Sequence, residues 1–315
     1  MSESLGSDED EPSGEPVWTP KLSLDELHDA LNRAYRFRVP RAFPEAVVAT
    51  RGIDEDAAFG FTWEFQHGRR ARSLSAGYSN FVPDFFSFGT PYVDGLHHGF
   101  VTYAPELNVG DLPVFTFDPV YDTVDAIAPD FRTALTNLAA WHADSHTEDD
   151  SHTEDDSLTE DEEAEPDAYA EAARRLDLPA VPIATGPLGV PYPYVPPRPD
   201  DWRFVPVQDR MGVLAPADSF GPAIAFERFT VSLRDFEAQT ALLREFTELC
   251  QKLLRTDYPA SVLLGMQTVY RDNPEDVVLL DLWAQAYEAL GRAIVVDVLR
   301  DKIAETERVR LRRRR

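Results

Sequence analysis

Three features of the sequence predict an α+β fold. A capping box at Ser23–Glu26 opens a helix. Aromatic residues then alternate from Phe59 to Phe65, and a helix from about Asp130 to Trp141 closes the unit. Helix, strands, helix in that order packs helices against a small mixed or antiparallel sheet, unlike a βαβ alternation. From Ser232 onward the pattern is helical, so a mainly α-helical part follows.

Residues 1–20 are acidic, polar and proline-containing, and hold too little apolar surface to order themselves. The first helix places Leu24, Leu27, Leu31, Ala34 and Tyr35 on one face and ends by Pro40. A second, short helix starts at Pro44, where a missing N–H is harmless in the first turn. Period two follows: Phe59, Phe61, Trp63 and Phe65 form one wholly aromatic strand face, expected to be core. Further strands are expected at Gly99–Tyr103, Leu112–Phe117 and Val124–Ala128, separated by turns at Pro91–Gly95 and Asn108–Asp111. The closing helix carries Phe131, Leu135, Leu138 and Trp141 on its apolar face.

Residues 145–163 repeat an acidic hexapeptide that has almost nothing to pack. After a short helix at Asp167–Leu176, eight prolines between Pro179 and Pro199 predict an extended polyproline II spacer. Residues 202–231 read as two or three short strands, Ala223–Val231 the clearest. In the helical part, Trp283, Ala284, Tyr287 and Gly291 fit the large, small, aromatic and turn positions of a tetratricopeptide-like repeat. Leu249, Cys250 and Leu253 lie 34 residues earlier on matching positions, while Val296 replaces a usual small residue. A TPR-like repeat and ordinary helical hairpins both fit. The organisation expected is a leader at 1–20, an α+β domain at 21–143 and a linker at 144–201. A short β segment at 202–234 and helical hairpins at 235–315 complete it.

With 56 acidic and 30 basic residues the formal charge is −26. Residues 1–15 and 145–165 carry 6 and 11 carboxylates without a Lys or Arg, and the last eight residues carry six arginines. Without these segments 39 acidic and 24 basic residues leave −15, so the folded surface itself is acidic. Such self-repulsion is tolerable where salt shortens the Debye length to about 3 Å at 1 M, which points to a halophile. No run of 18 apolar residues and no apolar, basic-flanked start occur, so no membrane partner and a cytoplasmic location are expected.

The lone Cys250 cannot form an internal disulfide and falls among apolar helical positions, as a small core residue would. No GxGxxG, Walker A, GxSxG, HExxH or CxxC pattern is present, so neither cofactor nor metal is expected. His97 and His98 are adjacent on a strand and point to opposite faces, one packed and the other solvated in this reading. A catalytic site around Asp94, His97, His98 and Glu106 is the alternative to a binding function. The terminal arginines are a poor nucleic-acid anchor in a salty cytoplasm, since six phosphate contacts would weaken about 10⁵-fold per decade of salt. Nucleic acid is therefore not the expected partner.

Residues 88–118 read Phe-Gly-Thr-Pro-Tyr-Val-Asp-Gly-Leu-His-His-Gly-Phe-Val-Thr-Tyr-Ala-Pro-Glu-Leu-Asn-Val-Gly-Asp-Leu-Pro-Val-Phe-Thr-Phe-Asp. This stretch resembles the SMI1/KNR4 (SUKH) superfamily, in which a glycine-flanked aspartate precedes a strand, followed by an Ala-Pro-Glu-Leu-like turn and an Asp-x-Pro-Val-like strand. Asp94, Gly95, Gly99, Pro105, Glu106, Asp111 and Pro113 carry the likeness, which spans about residues 22–143. The glycine-rich turn expected after the early helix is reduced here to Arg51-Gly52. The resemblance implies a non-catalytic α+β domain that binds a protein partner, as an immunity protein against a toxin or as a regulatory adaptor. On that reading the partner-binding residues are Tyr92, Asp94, Leu96, Phe100, Glu106 and Asp111, with Gly95 and Gly99 serving turns.

Overall fold

The computed structural model describes residues 22–64, 82–91, 95–107, 111–121, 123–149, 167–186, 194–207, 211–230, 236–269 and 276–313. The acidic leader and most of the acidic repeat lie outside these residues. The fold is α+β, as the sequence predicts. An antiparallel meander, β1 (Thr62–Trp63), β2 (Phe85–Thr90), β3 (His97–Val101), β4 (Val114–Asp118) and β5 (Thr123–Ala128), forms one sheet in that order.

Helix α1 (Leu24–Tyr35) forms as its capping box dictates, Ser23 accepting from Glu26 N–H and Glu26 answering Ser23 N–H at 2.9 Å. Helix α2 (Ala42–Ala49) has Pro44 in its first turn. Helix α3 (Glu55–Phe59) corrects the reading of a strand from Phe59. Asp54 caps its start, Gly60 ends it in the left-handed conformation, and only Thr62–Trp63 remain extended before the described residues stop at Glu64. The aromatic set is nevertheless core: Phe59, Phe61 and Trp63 are buried. They pack with Phe43, Phe88, Phe100 and Phe131 between the sheet and helices α1, α2 and α4 (Phe131–Asp149). Strand β2 had no counterpart in the sequence reading, because its Phe85-Phe86-Ser87-Phe88 run does not alternate.

The expected linker contains packed structure. In α5 (Ala168–Leu176) Tyr169, Ala172, Ala173 and Leu176 form a buried stripe in the same core. The chain beyond it is strapped to the domain. Tyr169 donates to the Pro179 carbonyl at 2.9 Å, and Asn137 of α4 accepts from Thr185 N–H at 2.9 Å. A second correction concerns Ala223–Val231, where Phe226–Phe229 form a 3-10 turn. Buried Phe226 and Phe229, three residues apart, suit that turn's period.

Both sheet faces are covered. Opposite the aromatic core, Phe85, Val101, Phe115 and Phe117 meet Met211 and Leu214, which belong with the hairpin of β6 (Trp202–Val205) and β7 (Val213–Pro216). Behind that hairpin the helices α6 (Phe236–Arg255), α7 (Pro259–Val269), α8 (Val277–Ala289) and α9 (Ala293–Arg313) bury a core of their own. Trp283 lies there and Trp63 in the first core, as the periodicities predict, with Trp141 half-buried against the first. The N-terminal and C-terminal halves are also joined by polar contacts. Tyr103 donates to the Met211 carbonyl at 3.0 Å, and Arg36 pairs with Asp297 at 2.5 Å.

Candidate functional site

Strand β3 puts His97 and His98 on opposite faces, as the two-residue period requires, yet both are buried. The expectation that one is solvated is corrected because α-helices cover one face of the sheet and the C-terminal half covers the other. His97 Nδ1 lies 2.9 Å from Glu64 Oε1, with the imidazole ring stacked on Phe117. Ser87 donates to the other Glu64 oxygen and contacts the His98 carbonyl at 3.2 Å, while Tyr35 donates to the Ser87 carbonyl at 2.7 Å. Four side chains, Glu64 just after β1, Ser87 of β2, His97 of β3 and Tyr35 of α1, thus form a polar chain through the sheet. Burial, and then the nearby Glu64 charge, holds the Tyr35 phenol well above its ordinary pKa.

His98 has a different environment. Its ring meets Phe61 edge-on and its Nδ1 lies 3.0 Å from Thr116 Oγ1. Burial, with the neighbouring His97 charge second, pushes its pKa down to about 3, so it is neutral at any ordinary pH. The two histidines therefore do not converge on one reacting atom. His97 is bound to a carboxylate as a triad histidine is, but Ser87 bonds the other oxygen of that same carboxylate and not the imidazole, so these two described residues do not form a nucleophile–base pair. The hydrogen bonds of this arrangement satisfy polar groups that the fold buries.

Of the predicted partner-binding residues, those that the structure describes lie apart. Tyr92, Asp94 and the Glu106 side chain lie outside what the structure describes. Leu96 is half-buried at the start of β3. Phe100 is fully buried against Phe43, Phe88 and Phe131, so it anchors the core and offers nothing to a partner. Asp111 is exposed, but it follows β3 and precedes β4, and Glu106 belongs to the 3-10 turn Pro105–Leu107 on the same connection. Since β4 runs antiparallel with His97 opposite Phe117, that connection lies at the far end of the strand from Leu96. Five residues of β3 put about 17 Å between the two ends. Leu96 and Asp111 therefore do not share one turn.

At the Leu96 end lies a surface that sequence reasoning missed. The turn joining β4 and β5 exposes Val120 and Tyr121, 65% and 73% accessible. Asp118 Oδ1 accepts from the N–H groups of both, at 2.8 and 3.0 Å, fixing the tip. Two large apolar residues in a tight turn between strands were the available signal.

Gly95 sits in the left-handed conformation at φ 73°, a turn role as expected. Gly99 serves another purpose. A Cβ there would meet the Phe85 ring at 2.6 Å and the Phe86 carbonyl oxygen at 2.7 Å, so its bareness lets β2 and the Phe85 ring close over β3. Cys250 is buried in the helical core, which raises its thiol to about 12 and leaves it inert. Among the described residues no helix is long and apolar enough to cross a membrane. No protein-family model matches the chain, and no curated protein matches its sequence.

Proposed function

We propose that the chain is a protein-binding module that recognises its partner through the end of the sheet carrying Leu96, Val120 and Tyr121. One observation carries this reading: among the described residues of the meander, the two most exposed large apolar side chains project from a turn held by Asp118, at the end of the sheet where half-buried Leu96 lies. Exposed apolar groups gathered on a preorganised tip are what an interface needs at its centre, aromatic anchors above all. The charge of −26 supports an apolar anchor, since salt that screens carboxylates strengthens apolar burial. The resemblance to SMI1/KNR4 proteins supports the same class of function. It makes the partner a toxin that the chain neutralises inside the cell, or a regulatory target for which it acts as an adaptor.

The test is affinity capture from native lysate in molar salt, with Leu96→Ala plus Tyr121→Ala compared against the wild type. The partner is identified by mass spectrometry and its affinity then measured with purified components. A hot-spot aromatic contributes about 2 kcal/mol or more, so the double variant is expected to bind at least about 30-fold more weakly. Equal affinity of the two chains for every captured protein refutes the reading.

A further inference from the structure

The proline-rich stretch ending at Pro199 is held on the surface in a form made for recognition. Between Asp177 and Arg198 the sequence contains no charged residue, in a chain in which 27% of residues are charged. In its last part, Tyr194-Val195-Pro196-Pro197-Arg198-Pro199, three prolines fix φ near −65°. Val195, Pro196 and Arg198 each precede a proline and are held extended by it. In the structure residues 194–199 run without helix, strand, turn or bend, so the prolines alone set their form.

Both ends of the stretch are fastened. Tyr194 stacks on Tyr103 at 6.1 Å and meets Phe115 edge-on, burial raising its phenol to about 12. The Pro199 carbonyl accepts from Trp202 N–H at 3.0 Å, where β6 begins. Pro196 is buried, whereas Val195, Pro197, Arg198 and Pro199 are exposed, Val195 to 61%. Three residues per turn place Val195 and Arg198 on one edge of a polyproline II helix. Arg198 makes no ion pair among the described residues, despite the acidity of the chain.

We infer that residues 194–199 are a docking peptide for a second protein with a groove lined by aromatic side chains and flanked by a carboxylate. The groove would take the exposed Val195, Pro197 and Pro199, and its carboxylate would pair with Arg198. This is the polyproline mode of recognition, in which a ligand already extended loses little entropy on binding. Here the fold has ordered the ligand before the partner arrives. Tyr194 also gives a bound partner a route to the sheet, since it rests on Tyr103 and Phe115. The site is separate from the Leu96 and Tyr121 end, so either can fail without the other.

The probes are an isolated SH3 domain selective for proline peptides followed by arginine, and a WW domain. Each is titrated against the full chain by calorimetry at low salt and in 1 M KCl. Saturable binding of the SH3 domain is expected, about tenfold weaker for each of Arg198→Glu and Val195→Asp. The arginine-dependent part should diminish in salt and the apolar part persist. Because both side chains are exposed, the variants should melt with the wild type, which excludes misfolding as the cause. Absence of saturable binding of either domain to the wild type overturns the proposal, as does binding that both substitutions leave unchanged.

Discussion

Tyr287 of α8 donates a hydrogen bond to Asp84 Oδ2, joining residues 203 positions apart where the sheet meets the helical half. Both groups are buried, and Arg292 sits over the Tyr287 ring at 5.9 Å while donating to the Leu214 carbonyl. A carboxylate buried between two parts of a chain ties their stabilities together, because separating them leaves it without this donor. Tyr287→Phe is expected to cost about 1 to 3 kcal/mol, the penalty of a buried acceptor losing its donor. In urea, far-ultraviolet dichroism and tryptophan fluorescence should follow one transition. Two separated transitions in the wild type would show that the junction does not couple the halves.

Alkaline pH tests the same junction by another route. Burial first raises the phenols of Tyr35, Tyr103 and Tyr287 well above the ordinary value, helped by Glu64 at Tyr35, by Tyr194 and then Asp84 at Tyr103, and by Asp84 at Tyr287, so the folded state keeps them protonated. The unfolded chain releases those protons near pH 10, and stability is therefore intact below that pH and falls as pH rises above it. Absorbance at 295 nm should show these three tyrosines ionising only as the chain unfolds. Smooth ionisation of all tyrosines near pH 10, with dichroism unchanged, would contradict their burial.

On the acid side His98 has the opposite sign. Its folded pKa of about 3 lies below that of the unfolded imidazole. The unfolded chain thus takes up a proton that the folded chain refuses as pH falls below about 6.5, and the stability this site contributes at neutral pH is lost in that window. The slope for one such group is about 1.4 kcal/mol per pH unit. His98→Gln removes the titration, so its stability should decline less steeply between pH 6 and 4 than that of the wild type. Parallel decline of the two chains in urea titrations would remove His98 as a source.

The pair of His97 and Glu64 is the third buried polar junction. Removing one partner strands the other, at about 3 to 5 kcal/mol, whereas removing both leaves only a packing defect. Glu64→Ala and His97→Ala should each destabilise strongly, and the double variant should cost less than their sum by about 1 kcal/mol or more. An additive cycle would mean that the 2.9 Å contact contributes nothing to stability.

How much of this was legible in the sequence depends on the range of the interaction. Helix α1, with its local capping box, and α5, with its stripe of Tyr169, Ala172, Ala173 and Leu176, follow from neighbours in sequence. The aromatic core did too, even where strand and helix were confused at Phe59. Long-range features were hidden. Nothing near Ser87 in sequence announces Tyr35 or Glu64, and nothing near Phe100 says that helices cover it. The strand expected at Gly99–Tyr103 already lay between Leu96 and Asp111, and the structure puts the two at opposite ends of β3. That residues 179–186 rest on the domain was hidden, because proline content reports backbone stiffness but says nothing of what the stiff chain rests on.

Gly99 separates a turn role from a packing role. If the residue served a turn, as its sequence context implies, alanine would cost what positive φ costs, about 1 to 2 kcal/mol, and neighbouring side chains would be irrelevant. In β3, however, φ is not positive and the obstacle is space, with Phe85 Cζ 2.6 Å and the Phe86 carbonyl oxygen 2.7 Å from where an alanine methyl would sit. Overpacking of this kind typically costs about 1 to 3 kcal/mol. Trimming the ring by Phe85→Leu relieves only one of the two clashes, because the other is with backbone. Gly99→Ala should therefore remain destabilising by about 1 kcal/mol or more in a Phe85→Leu background, though by less than in the wild type. By contrast Gly95→Ala, where φ is 73°, should cost the same in both backgrounds. Denaturation midpoints of these variants decide the matter, and identical costs for Gly99→Ala with and without Phe85 would mean that the ring does not press on β3.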